Sequence, residues 1–388
     1  MLECLHMYLR PEWMRRIEDA FQDRSVVWLK GVRRVGKTVL CRSLPEAEYY
    51  DCELPRTRRL LDDPEGFLRG VRGTRIVLDE VHRLANPSEL LKIAADHYPD
   101  VQILATGSST LGASSKFRDT LTGRKRTVWL TPMTLDDLGA FERGDLGHRL
   151  LRGGLPPFFL ADELPETDYQ EWLDSYWAKD IQELFRLERR ASFQRLFELL
   201  ATQSGGIFEA TRFAGPCEIS RQTVTNYLAV LEATLVAHVV RPFSTRRSTE
   251  LVSAPKVYAF DTGFVCFARG WRELRPDDFG ILWEHLVLNE IQAMRLSQQI
   301  HYWRDKNKHE VDFIVRRRGC PPDAIECKWT AEETDLRNLR AFRRRYPNGR
   351  NLVVASDVDR PHSRTVGGIE VRFVSLRELI RQLRQPEG

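Results

Sequence analysis

The sequence predicts an α/β protein in three parts: a parallel-sheet domain, a mostly helical middle and a second α/β domain. Three observations indicate this. Short apolar runs alternate with helix-like stretches between residues 25 and 130, the strand pattern disappears from about 134 to 240, and strands return from 256. A chain of 388 residues, 42% of them hydrophobic, suits two or three domains with separate cores. The predicted domains are 1–145, 146–250 and 251–388.

Charge and cysteine usage narrow the class of protein. The net charge is only +4, but the last 88 residues contain 19 basic and 13 acidic residues. This excess would favour a polyanionic partner. The seven cysteines form no CxxC pair and no zinc-type spacing, which predicts a reduced, cytoplasmic chain. The N-terminus lacks a signal-peptide pattern and no apolar run reaches about 18 residues, so we expect no membrane segment.

Five strands are predicted in the first domain, from the stretches SVVWLK, EAEYYD, RIVLDE, VQILATG and RTVWL. Each is short and rich in β-branched or other apolar residues, and helix-compatible segments separate them. This order is typical of βαβ units and predicts a Rossmann-like parallel sheet.

A phosphate-binding loop follows the first strand. Residues 31–38 read GVRRVGKT, which fits G-x-x-x-x-G-K-[ST], with a helix-compatible TVLCRSL after it. Glycines let successive N–H groups point at phosphate oxygens, the lysine reaches the β- and γ-phosphates, and the threonine hydroxyl can ligate Mg²⁺. The pattern predicts ATP and Mg²⁺ as cofactors, contacted by Gly31, Val32, Arg33, Arg34, Val35, Gly36, Lys37 and Thr38.

Two acids end the third strand, where a second loop should approach the phosphates. In RIVLDE, Asp79 is expected to hold Mg²⁺ through water and Glu80 to polarise the attacking water. The alternative is that Glu80 only caps the next helix.

The remaining candidates of this domain are weaker. Thr106 and Ser108, at the end of VQILATGSS, could bind the γ-phosphate or the attacking water, although small polar residues also end strands for turn reasons alone. Arg124 is a candidate for stabilising transition-state charge, in its own chain or on a neighbouring subunit; the alternative is an ordinary surface arginine.

The middle segment combines helices with a DNA-binding pattern. In FQRLFELLATQ the residues Phe193, Leu196, Phe197 and Leu200 share one face. A helix is predicted over 218–230 with Ser220 as a plausible N-cap. Two helices joined by a Gly-Pro turn and followed by an apolar strand predict a winged helix. The residues placed to contact bases are Arg221, Gln222, Thr223, Thr225 and Asn226. The alternative is a protein-packing helical module with a solvated polar face.

A nuclease-like set of residues lies in the C-terminal domain. EVDFIV places Asp312 in one strand, and AIECKW places Glu326 and Lys328 two apart, on one face of another. Two carboxylates can bind a divalent metal, with the lysine orienting water, and Glu284 on an upstream helix could add a third carboxylate. The alternative is a salt-bridged sheet surface.

Taken in order, several motifs resemble one family. They are GVRRVGKT, IVLDEVHRL, ILATGSS, LTGRKRTVWLTPMTLDDL, GGLP, SRQTVTNYLAVLE, PKVYAFDTGF and YWRDKNKHEVDFIV with AIECKW. This series resembles the bacterial and archaeal AAA-type ATPases with a C-terminal domain of unknown function that is similar to restriction endonucleases. The resemblance implies a Walker-type ATPase, a winged-helix middle and a PD-(D/E)xK-like end, with a second sensor arginine not located.

Two functions fit these observations. The first is an ATPase acting on or with nucleic acid, expected to be DNA, with Lys328 as a catalytic residue if the C-terminal site cleaves; a homo-oligomer would let Arg124 act between subunits. The second is a nucleotide-controlled switch or scaffold that binds a protein partner and has a non-cutting C-terminal domain. Arginine clusters at 316–318 and 343–345 favour the first, because phosphate contacts need Lys and Arg.

Overall fold

The structure, a computed structural model, groups the chain into two compact units. The first contains residues 1–145, 154–190 and 229–236, and the second 146–153, 191–228 and 237–388. The predicted three-domain organisation stays a prediction. The described residues are 10–107, 121–141, 145–163, 166–182, 185, 187, 189–245, 254–294, 299–317, 319–333 and 335–384.

The first unit contains the predicted parallel sheet. Its five strands are β1 (Val26–Lys30), β2 (Ala47–Asp51), β3 (Arg75–Asp79), β4 (Gln102–Thr106) and β5 (Lys125–Trp129). They are all parallel, in the order β2-β3-β4-β1-β5. The strand order reverses beside β1, so the loop after β1 lies at a topological switch point, where α/β sheets bind ligands.

Several helices of the first unit surround the sheet. They are α1 (Pro11–Asp23), α2 (Lys37–Arg42), α3 (Pro55–Leu60), α4 (Pro64–Gly70), α5 (Pro87–His97), α6 (Leu135–Ala140), α8 (Pro156–Phe159), α9 (Glu166–Tyr176) and the π-helical turn Trp177–Gln182. The sheet packs against this layer through fully buried residues such as Val26, Ile76 and Ile103, whose β-branched side chains suit a strand covered on both faces.

The second unit is built around a nine-stranded sheet of order β13-β14-β12-β11-β10-β9-β7-β8-β6. Its strands are β6 (Gly206–Ile207), β7 (Ala237–Pro242), β8 (Lys256–Ala259), β9 (Gln299–Arg304), β10 (Glu310–Arg316), β11 (Asp323–Lys328), β12 (Asn351–Ala355), β13 (His362–Val366) and β14 (Ile369–Val374). Its helices include α7 (Leu146–Arg152), α10 (Arg190–Thr202), α11 (Ala210–Ala214), α12 (Arg221–Ala233), α13 (Thr262–Ala268), α14 (Pro276–Ala293), α15 (Arg337–Arg345) and α16 (Leu376–Arg384).

The helices of the middle segment bury the predicted apolar faces. On α10, the four residues Phe193, Leu196, Phe197 and Leu200 are all buried, as the 3.6-residue period requires. Helix α12 begins at Arg221, three residues later than predicted. The Ser220 hydroxyl accepts a hydrogen bond from Thr223 N at 3.1 Å, so the predicted N-cap is confirmed. Strand β6 lies between α10 and α11, and it forms a small antiparallel group with β8 and β7, which follow α12.

Two of the arginines that favoured nucleic-acid binding are structural. Arg343 is 4% exposed and donates to the carbonyls of Asn348, Pro322 and Arg350 around the end of α15. Arg317 pairs with the buried Asp323 at 2.9 Å. Their guanidinium groups are engaged within the fold, and the predicted role of these arginine clusters in polyanion binding stays a prediction.

None of the described helices is both long and apolar enough to cross a bilayer.

Candidate functional site

The loop between β1 and α2 has the backbone shape that its glycines predict. A Cβ atom on Gly31 would lie 2.5 Å from Leu130 O, so no larger residue fits there. Gly36 has φ +102°, a left-handed conformation that favours glycine. Helix α2 begins at the next residue, Lys37, so the loop leads directly into a helix N-terminus.

A buried arginine, Arg10, fixes the position of this loop. Arg10 Nη1 donates to Val35 O at 3.3 Å and to Thr131 O at 2.9 Å, and its Nη2 lies 2.5 Å from Asp137 Oδ2. Asp137 also accepts from Thr134 N at 2.8 Å, which caps α6. The position of the loop is thus fixed by a charge pair of which both members are buried.

Lys37 lies across the loop. Its Nζ donates to the carbonyl oxygens of Gly31 (2.8 Å) and Val32 (3.0 Å). Burial lowers the pKa of this ammonium group, and the charges of Glu80 and Asp180 oppose the shift. The lysine is therefore held beside carboxylates at the place where the motif expects the terminal phosphates.

Asp79 is fixed at the end of β3 by two hydroxyl groups. Tyr49 OH donates to Asp79 Oδ2 at 2.6 Å, and Thr106 Oγ1 donates to the other carboxylate oxygen. The Thr106 hydroxyl also accepts from Glu80 N at 3.2 Å. Thr106 thus holds the Asp79 carboxylate and the backbone of Glu80, and its predicted direct contact with nucleotide stays a prediction. Ser108 lies outside the described residues.

Glu80 faces the nucleotide loop. Its φ of +54° turns the chain sharply after β3. His82 Nδ1 lies 3.1 Å from Glu80 Oε2. Burial alone would raise the pKa of Glu80, but His82 and Lys37 outweigh it and lower the pKa to about 2. The carboxylate is therefore ionised at neutral pH, as a group that polarises water must be.

A cleft of about 430 Å³ brings most of these groups together. Its lining residues are Gly31, Arg33, Arg34, Gly36, Lys37, Thr38, Val39, Glu53, Glu80, His82, Arg83, Gly107, Pro156, Pro157, Trp172, Ser175, Lys179 and Asp180. The last four come from α9 and the π-helical turn. Sequence reasoning did not find them, because they lie more than 130 residues after the loop and belong to no motif.

Arg124 lies outside this lining. Its side chain is 38% exposed, and its Nε lies 2.6 Å from Asp96 Oδ1 on α5. The ion pair lowers the pKa of Asp96 and raises that of Arg124. A role in catalysis within its own chain would require this pair to open.

The N-terminal turn of α12 presents polar side chains to solvent. Arg221, Gln222, Thr225 and Asn226 are exposed, whereas Val224 faces the core. This is the alternation that the sequence predicted for a helix with one polar face.

The structure brings Asp312, Glu326 and Lys328 together, with Glu284 close enough to interact electrostatically with both carboxylates. Asp312 Oδ2 accepts from Cys327 N at 2.8 Å, and Lys328 Nζ lies 3.5 Å from Glu326 Oε2. The register of β10 against β9 shifts between Val311 and Ile314, so Asp312 lies at an irregularity of the strand. Such bulges commonly re-aim a side chain next to an active site.

Glu326 is the most constrained member of this set. Its side chain is 1% exposed, and its Oε1 has no hydrogen-bond partner within the described part of the chain. Burial and the charge of Asp312 raise the pKa of Glu326, although Lys328 opposes them. An unpartnered buried carboxylate oxygen beside a second carboxylate fits a cation ligand.

Glu284, the third predicted carboxylate, lies near this set and is also bound by residues of β8. Tyr258 OH donates to Glu284 Oε1 at 2.5 Å, and Lys256 Nζ lies 3.3 Å from the same oxygen and 2.5 Å from Glu310 Oε1. Burial, followed by the charge of Asp312, raises the pKa of Glu284 to about 7. Among the residues described, no three of His, Cys, Asp and Glu are grouped as metal ligands.

Three family models match successive parts of the chain. Residues 143–275 match a domain of unknown function (DUF8612), and residues 279–374 match a second one (DUF4143). Residues 23–138 match an AAA domain. This match, with the loop and acids described above, supports an AAA-type ATPase that binds and hydrolyses nucleotide. The AAA domain contains the whole sheet of the first unit.

Sequence similarity to other proteins extends beyond the AAA domain. Uncharacterised proteins of Mycobacterium tuberculosis and Mycobacterium bovis are each 29% identical over 345 residues, covering 86% of this chain and 76% of theirs. Among solved structures, a Walker-type ATPase of Pyrococcus abyssi is 16% identical, with a TM-score of 0.45 over 68% of this chain and 96% of that one. A RuvB variant of Thermotoga maritima is 15% identical, with a TM-score of 0.30 over 63% of this chain and 95% of that one.

Proposed function

We propose that this protein hydrolyses ATP in the cleft of its AAA domain and acts on or with DNA through its second unit. The observation that carries the first half is the cleft itself, which Lys37, Thr38 and Glu80 line together. The nucleic-acid half is supported by the exposed polar turn of α12 and by the small sheet β6-β8-β7, which together have the element order of a winged helix.

The residues of the cleft have different roles in hydrolysis. The loop N–H groups and Lys37 bind the phosphates, and Thr38 and Asp79 would hold Mg²⁺, directly and through water respectively. When bound, Mg²⁺ would neutralise charge that develops on the phosphoryl oxygens. Glu80, already ionised, accepts a hydrogen bond from the attacking water and orients it. The hydroxyls of Tyr49 and Thr106 keep Asp79 in place.

Arg124 requires a second copy of the chain in this proposal. Because it does not line the cleft of its own AAA domain, it would stabilise transition-state charge at a neighbouring subunit's nucleotide, once its pair with Asp96 has opened. A homo-oligomer is therefore part of the proposed active form.

DNA binding by this protein should depend strongly on salt. Each phosphate that a lysine or arginine neutralises adds about −0.9 to the slope of log affinity against log salt. A titration of random-sequence duplex DNA at several salt concentrations measures it. Arg221→Ala should make the slope shallower by about one, while Arg384→Ala on α16 controls for the loss of one positive charge elsewhere.

The opposite result would favour the alternative function. Two of the clustered arginines hold turns, so less basic surface is available for phosphate than the sequence suggested. A slope near zero for the wild-type protein would support a nucleotide-controlled switch that binds a protein partner.

We propose that Asp312 and Glu326 bind a divalent cation, with Lys328 as the residue that would orient water if the site cleaves DNA. Carboxylates that repel one another relax when a cation lies between them, so Mn²⁺ should raise the melting temperature of the full chain. At about 100 times Kd the gain is about 2.7 kcal/mol. Asp312→Ala should abolish the shift, and Asp359→Ala, an exposed carboxylate, should keep it. Equal shifts in all three proteins would exclude this site.

A further inference from the structure

The variable positions of the phosphate-binding loop contact α9 and the π-helical turn. Arg33 Nη1 lies 3.3 Å from Asp180 Oδ2, and Trp172 Nε1 donates to Arg33 O at 3.1 Å. Its neighbour Arg34 lies 3.6 Å from Glu171. Two consecutive arginines of the loop are therefore paired with carboxylates from one later segment.

The two pairs differ in their surroundings. The carboxylate of Glu171 is 68% exposed, so solvent screens its pair with Arg34. Asp180 is 8% exposed in the side chain and lines the same cleft as Lys37, where its charge opposes the lowering of the pKa of that lysine by burial. A buried carboxylate in a polyphosphate cleft is electrostatically unfavourable to the ligand, because like charges interact strongly where water is excluded.

The π-helical turn explains how the carboxylate reaches the cleft. Its six residues, Trp177–Gln182, extend α9 with wider turns, and both Lys179 and Asp180 line the cleft. Consecutive residues of an α-helix point about 100° apart, so the wider turn helps to aim both at one cavity. Turns of this kind are rare and occur frequently at functional sites.

We propose that Asp180 competes with the nucleotide phosphates for the Arg33 guanidinium, and so sets the affinity of the cleft and its preference among nucleotides of different charge. Phosphate oxygens and carboxylates are equivalent partners for a guanidinium, which donates to either in the same forked geometry. Binding of ATP replaces one partner by the other, and Asp180 moves away from the phosphates. The inference rests on the proposed nucleotide site.

The test is a titration of Mg·ATP and Mg·ADP into Asp180→Asn by calorimetry. The amide is isosteric and uncharged, so ATP should bind about tenfold more tightly than to the wild-type protein. ADP, with less charge, should gain less. Arg33→Gln should weaken ATP binding, and adding Asp180→Asn to it should give a clearly smaller gain than in the wild-type background, because the competition for Arg33 is then absent and only the direct repulsion of the phosphates is relieved. Glu171→Gln, the matched exposed carboxylate, should leave both affinities unchanged.

Either of two results would overturn the inference. The first is an ATP affinity of Asp180→Asn that is equal to or weaker than that of the wild type. The second is a full gain in ATP affinity from Asp180→Asn that persists in the Arg33→Gln background. Asp180→Ala has the same predicted sign and is the second variant if the amide protein unfolds, which thermal unfolding without nucleotide detects. A wild-type protein that binds no nucleotide would instead refute the proposed function.

Discussion

Glu80→Gln should hydrolyse ATP at least about 100-fold more slowly than the wild-type protein while binding it with similar affinity. The amide keeps the shape of the side chain and loses the charge that orients the attacking water. Since Glu80 is ionised well below neutral pH, the wild-type rate should not fall through titration of this group between pH 5 and 8. Steady-state phosphate release measures the rate.

A glutamate outside the cleft provides the matched control. Glu65, exposed in the first turn of α4, does not line the cleft, so Glu65→Gln should hydrolyse ATP at the wild-type rate. If Glu80→Gln were as active as that control, another group would have to orient the water, and Glu80 would be only the residue that turns the chain after β3.

Lys256→Met should lower the free energy of unfolding by about 3–5 kcal/mol. The ammonium group is buried between Glu284 and Glu310, and methionine would leave these carboxylates without their nearest cation. Removing one member of a buried charge pair costs more than the pair contributes, because the remaining charge stays desolvated. Chemical denaturation monitored by circular dichroism measures the loss.

The control and a second variant separate charge from packing. Lys306→Met, at an exposed turn, should change stability by less than about 0.5 kcal/mol. Adding Glu310→Gln to Lys256→Met should recover part of the loss, since one unpaired carboxylate is then neutral. A Lys256→Met protein as stable as the wild type would show that the two carboxylates are protonated or hydrated without the lysine.

Local patterns predicted the first half of the nucleotide site. Gly31, Gly36, Lys37 and Thr38 are contiguous, and their chemistry depends on a strand-loop-helix unit that the hydrophobic pattern also shows. The acids of β3 follow from the same reasoning, since parallel strands end at one edge of the sheet. Neither step needs knowledge of distant packing.

The other half of the cleft could not be predicted in this way. Trp172 and Asp180 reach the loop only through tertiary packing of α9, and no spacing in the sequence relates them to residue 33. The same holds for Lys256, whose ion pairs join β8 to α14 and β10. These contacts also explain why Glu284, correctly placed on a helix near the carboxylates, is engaged by Lys256 and Tyr258.

The arginine run around Arg343 suggested an exposed surface, although the helical spacing indicates that Arg343 is buried. A run of three arginines suggests a solvated face, yet Leu339, Phe342 and Arg343 share the buried side of α15 at helical spacing. The guanidinium group is tolerated there because backbone carbonyls satisfy it. Periodicity, applied to charged as well as apolar residues, would have separated Arg343 from its exposed neighbours Arg344 and Arg345.

A calorimetric titration of Mg·ATP into the wild-type protein, Glu80→Gln and Lys37→Ala shows whether the cleft binds ATP through Lys37. We expect one saturable site per chain in the first two proteins and an affinity at least about 100-fold weaker in Lys37→Ala, because that change removes the ammonium group that the motif places at the terminal phosphates. Binding of equal strength in all three proteins, or no binding by the wild type, would contradict this expectation.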